Sequence, residues 1–574
     1  MTQVSGSLIT RNYTNFLGVD FSNRKDEISL NRSPDGLNMW KNYKNSNGKC
    51  IETRPEIELL QEYSAAIFGL FFYTFKDTTY RIVHSGTKLY KDNDVLYDGM
   101  ARNKSKFFVF NNILYIKDGN KYLRYDGTEL KEVEGYIPTT TIARSPSGGG
   151  TLYEDINLLQ PYRENSFSGD GKSTEYILDV ENFDTDGEVR VYVNGEQTTD
   201  FTASPSTGKI TFKTAPPEPN TTGQDNVQIQ FKKTVEGYRD RIDKCTLVEV
   251  FDNRVFFSGN PDYPNFLWHC SLENPEYCSD LDYYPEGSND SNVKALISGN
   301  NALWVLKEPS QSNTTIFYHN PTIDGDYGKI YPSSHSSIST GCKTTGINFN
   351  DAICFFSDRG MEAITSDVTT EQVIRHTSSL VDNKLLNEKD YNNMILEEWE
   401  GYLLVIVGNK IYLADSRQMV NVNGHLEYEW FYWELDKKIT STLVKDGVFY
   451  LCMEEETKEG IKYNIYTLTN FKDSRRINSH WCTLADEFKY PQYQKTTNKK
   501  GCVADMEGEE ITISATIDNK EIKKINTYKN VKGYVVARIK MKKWKSIQLK
   551  FSSTKPFSLY STTLEAYIGS YVKR

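Results

Sequence analysis

Along most of the chain the polar and apolar positions follow one short phrase: an apolar or aromatic run, a two-residue polar turn, and a second apolar run. "FFVFNNILYIKDGNKYLRYDGTEL" (Phe107–Leu130) states it most plainly, with a turn at Asn111-Asn112 and later Asp-Gly turns. The phrase returns in "FYTFKDTTYRIVH", "VEVFDNRVFFSG", "ALISGNNALWVLKE", "GINFNDAICFFSD", "LEEWEGYLLVIVG" and "TLVKDGVFYLCM". Their turns are expected at Asp77-Thr78, Asp252-Asn253, Asn300-Asn301, Asn350-Asp351, Glu400-Gly401 and Asp446-Gly447. Asn, Asp and Gly tolerate the positive φ that two-residue hairpins demand. From Asp252 onward the turns fall 48, 50, 50 and 46 residues apart. Several strands per unit at such a period is the pattern of β-propeller blades. Runs such as "LWVL" and "LLVIV" suit sheets covered on both faces. A pair of β-sandwiches with recurring hairpins is the plainer alternative.

Two departures from the period divide the chain. Between Asn111 and Asp252 lie 141 residues, with "SPSGGGT" (Ser145–Thr151) flexible by composition. From Pro161 to about Val235 the phrases "EVRVYVNGEQTTDFT" and "GKITFKTAPP" predict a small separate module, with its firmest hairpin at Asn194-Gly195. After about Asn478 the pattern becomes that of a closing β-sandwich-like domain. The expected fold is all-β: a β-propeller of about six or seven blades with an inserted β-sandwich and a C-terminal β domain. The expected limits are 1–60 for an N-terminal extended arm and first strands, 61–160 and 237–477 for the propeller, 161–236 for the insert and 478–574 for the last domain. Helix is expected only in "SSLVDNKLLNEKDYNNMILEEWE" (Ser378–Glu400), with one further turn in "SPDGLNMWKNY" near Ser33.

Composition narrows the chemistry. The 38 Tyr and 28 Phe favour strands. A net charge of -10 argues against a protein that grips phosphates with its whole surface. The nine cysteines form no CxxC pair, and several lie inside apolar runs, so they read as reduced packing residues. No secretory signal precedes them, and "AAIFGLFFYTF" is far too short to span a bilayer, so no membrane insertion is expected.

Catalytic constellations do not stand out. "SDRG" (Ser357–Gly360) resembles a fragment of a sialidase Asp-box but lacks the downstream threonine and aromatic and reads as an acidic turn, and "DTDGE" (Asp184–Glu188) lacks the remainder of a calcium loop and reads as surface turn acids. His269, Cys270 and Cys278 lack a fourth zinc ligand, and Glu397, Glu398 and Glu400 beside Trp399 read as a helix end and turn. The chain is therefore expected not to be an enzyme, and no cofactor or metal is assigned. One electrostatic feature is a candidate contact surface for a partner subunit or for DNA. It comprises Lys520, Lys523, Lys524, Arg538, Lys540, Lys542, Lys543 and Lys545, and in "VVARIKMKKWKSIQLK" the basic residues partly alternate with apolar ones along a strand.

Three passages resemble one family. "NFLGVDFSNRKDEISLNRSPDGLNMWKNYKNSNGKCIETRPEIELL" (Asn15–Leu60), "LVEVFDNRVFFSGNPDYPNFLWHCSLENPEYC" (Leu247–Cys278) and "KSIQLKFSSTKPFSLYSTTLEAYIGSYVKR" (Lys545–Arg574) are similar to packaged-DNA stabilisation or tail-hub (nozzle) proteins of tailed phages. The resemblance implies a virion protein made in the host cytoplasm that forms a ring, often sixfold, at or below the portal or adaptor. It would contact other tail proteins, retain packaged DNA and line the ejection channel. It supplies no catalytic residues. The alternative is a receptor- or carbohydrate-binding tail component, or less favourably a glycan depolymerase, for which aromatic-rich sheets would offer sugar-stacking surfaces.

Overall fold

The computed structural model describes residues 6–571, apart from 46–47, 312–313, 326–327, 337–338, 367–371, 423–424, 459, 470–475 and 521–522. Helix is limited to short pieces among the described residues, and the rest of the regular structure is strand. No helix is long and apolar enough to cross a membrane. The chain forms two compact units, Phe71–Ser339 and a second made of 1–70 with 340–574.

The recurring phrase is the recurring sheet. Four-stranded antiparallel meanders begin at Ile67, Lys106, Leu247, Val293 and Gly346. The first four strands of a twelve-stranded sheet, starting at Ile395, repeat the pattern. A further meander, starting at Lys438, has three consecutive strands and takes its fourth, Glu56–Tyr63, from the N-terminal region. The first hairpin of each closes on left-handed residues: Asn111 and Asn112 at φ 49° and 62°, Asp252 and Asn253 at 50° and 57°, Asn350 and Asp351 at 51° and 59°. The earliest turn lies at Lys76-Asp77, one residue before the expected Asp77-Thr78. The second strands Ala302–Lys307, Ala352–Ser357 and Tyr402–Val407 are buried at every position, so both of their faces are covered.

Within Phe71–Ser339 an inserted module has a core of its own, centred on Phe167, Tyr176, Val191, Ile210 and Phe231. Its six-stranded sheet takes in Thr139–Arg144 and Thr151–Leu152 ahead of residue 161. The expected flexible hinge is thus a hairpin turn inside that sheet, closed by a Ser145–Gly148 bridge.

The long helix expected over Ser378–Glu400 is replaced by one helical turn, Asp382–Leu385, a 3-10 turn at Tyr391–Asn393 and the strand Ile395–Trp399. The apolar Ile395, Leu396 and Trp399 are needed to open the next meander, and that pairing overrides local helix preference. The turn expected near Ser33 is an irregular loop held by a Val19–Ser33 bridge.

In the 1–70/340–574 unit, strands are labelled β1 (Leu8–Tyr13), β2 (Met39–Trp40), β3 (Ile51–Thr53), β4 (Glu56–Tyr63), β5 (Ser479–Cys482), β6 (Tyr493–Ile517), β7 (Lys523–Ala537), β8 (Ile547–Ser553) and β9 (Phe557–Tyr571). The two ends of the sequence meet here. β9 pairs with β1 and β3, and β2 joins β3 to the strand His425–Glu434. The arm is therefore woven into a wall and is not a loose extension. It buries Tyr13, Phe16, Val19 and Trp40 in the main core with Trp430, Trp481 and Trp544.

Candidate functional site

β7 sits at the edge of the sheet, paired only with β6. Its side chains alternate, as a half-buried strand requires. Val531 and Ala537 are buried, and Ile539 continues that face beyond the strand end. Lys532, Tyr534, Val536, Arg538, Lys540 and Lys542 form the opposite, exposed row. Lys523 and Lys524 open the strand, also exposed. The remaining expected contact residues cluster at the turn. The Asp518 carboxylate accepts the amides of Lys545 and Ser546 at 2.7 and 2.9 Å, which sets the Lys520 turn against the Lys543–Lys545 segment. Trp544 anchors that segment by its buried ring and by backbone bonds to Lys495.

All eight expected residues are thus exposed, on the turn before β7, along β7 and on the segment that leaves it. Among the described residues none of them is held in an ion pair. Edge lysines discourage indiscriminate strand pairing. Yet Tyr534 is 76% and Val536 50% exposed in the same row, so the edge offers apolar contact as well as charge. The surface can dock an anionic partner in a salt-dependent way.

Other charged groups are used internally. His376 lies 2.6 Å from Asp382 and 3.5 Å from the buried Glu362. Burial opposes its charge, but these two carboxylates overcome it and hold the imidazolium up to about 10. Sequence reasoning missed this cluster, because Glu362 and His376 come together only when their neighbouring strands pair. Glu286 and His319, both fully buried, approach to 2.9 Å, with Ser333 donating to the other Glu286 oxygen. The carboxylate stands between the hydroxyl and the imidazole, so this trio is not arranged to activate the serine.

Glu397 and Glu398 are successive residues of a strand and point to opposite faces, and Glu400 pairs with Lys44. His269, Cys270 and Cys278 do not gather as ligands among the described residues: the Cys270 sulfur accepts the Val255 amide instead. All nine cysteines are free and buried.

No family model and no curated protein matches the chain. Solved structures similar to it include an exo-β-1,3-galactanase from Phanerochaete chrysosporium, at 8% identity and TM-score 0.21, covering 56% of this chain and 95% of that one. A protein described as a glycoside hydrolase matches at 8% identity and TM-score 0.21, covering 86% and 98%. A Trypanosoma rangeli sialidase matches at 8% identity and TM-score 0.20, covering 55% and 90%.

These neighbours are enzymes, and the expectation that the chain is not one is corrected accordingly: that exclusion is withdrawn. Overlap this low assigns the chain no activity of its own.

Proposed function

We propose that the chain is a ring-forming structural protein of a phage tail, a hub or nozzle at or below the portal-adaptor. In this reading the four-stranded units are the blades of a β-propeller, about six or seven in number. β4 completes the last blade and ties the N-terminal region into it. The observation that carries the reading is the pairing of β9 with β3, Ile51 opposite Leu559 and Glu52 opposite Ser558. The first and last passages of the phage-family resemblance, 400 and more residues apart in sequence, become one continuous wall. The middle passage holds the first three strands of one meander. Residues that recur as phrases are thereby residues that build walls.

The β7 ridge then docks the acidic surface of the next copy. A chain of net charge -10 with one concentrated cationic row is complementary to itself head to tail, which is how rings form. Packaged DNA, other tail proteins and the portal-adaptor are the remaining partners of such a hub.

Mass photometry and negative-stain imaging of the purified chain test this. Rings, most simply hexamers, are expected at low salt. The quadruple variant Arg538→Glu, Lys540→Glu, Lys542→Glu and Lys545→Glu is expected to stay a folded monomer. A native chain that remains monomeric at every concentration and salt, and is absent from labelled virions, would overturn the hub.

A second reading, a carbohydrate-binding tail component, is favoured by one exposed aromatic group in the Phe71–Ser339 unit. Tyr136 is 40% and Tyr153 65% exposed, Tyr136 packs at 5.3 Å against Tyr277, and its hydroxyl donates to Glu154. Binding of host-envelope glycan that is lost in Tyr136→Ala/Tyr153→Ala, with or without release of reducing sugar, would select this reading.

A further inference from the structure

One group of side chains has the composition of a metal site. His480 and Cys482 are two residues apart on β5, so both project from the same face of the strand. Asp35 reaches them from the loop between Ser33 and Leu37. That loop is fixed to β5 at both ends: Leu37 and His480 exchange backbone hydrogen bonds of 2.9 and 3.0 Å, and the Cys482 amide donates to the Ser33 hydroxyl at 3.2 Å. The Asp35 amide also donates to that hydroxyl, at 3.3 Å, which turns the carboxylate toward the strand.

Asp35 Oδ1 is 3.1 Å from His480 Nε2, Asp35 Oδ2 is 3.8 Å from Cys482 Sγ, and one ligand atom from each residue lies within 4.8 Å of the others. A zinc-type ion bound at about 2.0–2.1 Å to nitrogen or oxygen and about 2.3 Å to sulfur holds tetrahedral ligand atoms roughly 3.3–3.6 Å apart. The distances here bracket that range. Among the described residues the buried His480 Nε2 faces the Asp35 carboxylate and makes no well-aligned hydrogen bond to another group.

We propose that Asp35, His480 and Cys482 bind a zinc-class divalent ion, with carboxylate, imidazole and thiolate as three ligands and water as the fourth. The Asp35 side chain is 60% exposed, which leaves that fourth position facing solvent. Lys550, 3.5 Å from Asp35 Oδ2, neutralises the carboxylate when the ion is absent and can keep that oxygen when it is present. On binding, the Cys482 S–H bond breaks, sulfur keeps the electron pair for the metal and the proton leaves to solvent. Because binding releases this proton, affinity rises with pH. The site joins the arm loop to β5, and bound metal acts as a clasp between them. The proposal does not depend on the hub reading.

Cobalt(II) titration of the full-length chain tests it. One equivalent is expected to give the near-ultraviolet sulfur-to-cobalt charge-transfer band and the visible bands of tetrahedral cobalt, both displaced by zinc(II). Cys482→Ser is expected to abolish the charge-transfer band. His480→Gln and Asp35→Asn, which leave the thiol in place, are expected to weaken binding by more than about ten-fold each. Metal-free thermal melts of each variant separate loss of ligand from loss of fold. A native chain without the band would overturn the site. So would a band that survives Cys482→Ser, which would place the ion on another of the nine cysteines, or undiminished affinity in both folded Asp35→Asn and His480→Gln.

Discussion

Replacing Glu429 by Gln is expected to release the N-terminal arm. Glu429 meets Arg32 in a two-pronged pair, with Nε to Oε2 at 3.0 Å and Nη2 to Oε1 at 2.7 Å. The two side chains are 9% and 1% exposed. Arg32 belongs to the arm, Glu429 to the strand His425–Glu434. The substitution leaves a guanidinium buried against a neutral amide, and breaking a buried pair from one side costs about 3–5 kcal/mol. If the arm opens as a unit, that cost corresponds to roughly two to four decades faster exchange of its protected amides.

Val19 is the amide to watch, because it donates 2.6 Å to the Trp430 carbonyl, next to Glu429. Hydrogen exchange read by mass spectrometry over residues 15–40 measures the effect directly, with the inserted module as an unperturbed internal reference. The double variant Arg32→Met/Glu429→Leu removes both charges and is expected to recover most of the protection, since an apolar replacement of a buried pair is often neutral or better. A rise below ten-fold in the single variant would refute the reasoning. It would mean that the arm is held by its apolar contacts, with the ion pair adding nothing.

Two further outcomes follow from the same unit. Gly18→Ala would set a Cβ 2.4 Å from the Trp430 carbonyl oxygen and 2.9 Å from its nitrogen, and backbone cannot yield as a side chain can. A loss of about 1–3 kcal/mol is expected, read as a lower midpoint in guanidinium. His376 gains charge affinity on folding. Its contribution is therefore full below the ordinary histidine value near 6.5 and is lost as pH rises through about 10. The melting temperature of the native chain should fall more between pH 6 and pH 10 than that of His376→Gln, and equal falls would show that Asp382 and Glu362 do not hold the proton.

How much of this was readable from the sequence depended on the range of the interaction involved. Period-two alternation is local, so the exposed row through Lys532, Arg538, Lys540 and Lys542 opposite buried Val531, Ala537 and Ile539 is visible in the letters. Hairpin chemistry is equally local, and Asn300-Asn301 or Asp446-Gly447 announce their turns because few residues accept a left-handed backbone. Local preference misleads where pairing decides. The segment after Ser378 has helical spacing, yet Ile395–Trp399 earns more by aligning with Tyr402–Ile406 than by one more helical turn. The Ser145–Thr151 glycines are loose by composition and ordered by their place between two strands.

The candidate sites sort along the same line. The β7 ridge comes from one continuous stretch and could be nominated residue by residue. The Arg32–Glu429 pair spans 397 positions and the Asp35–Cys482 contact 447, and no spacing rule reaches so far. Each needs a strand from the second half of the sequence to lie against the N-terminal arm, His425–Glu434 for Arg32 and β5 for Asp35. β9 lies against β1 and β3, β5 lies against the Ser33–Leu37 loop, and only then do a carboxylate from the arm and two ligands from β5 share a face. That dependence makes the two long-range predictions linked. If the arm is freed by Glu429→Gln, Asp35 loses its fixed loop, and cobalt affinity should fall in a variant whose three ligands are all intact. Unchanged affinity in a chain whose arm amides exchange freely would show that the loop is held by β5 alone, through Ser33 and Leu37.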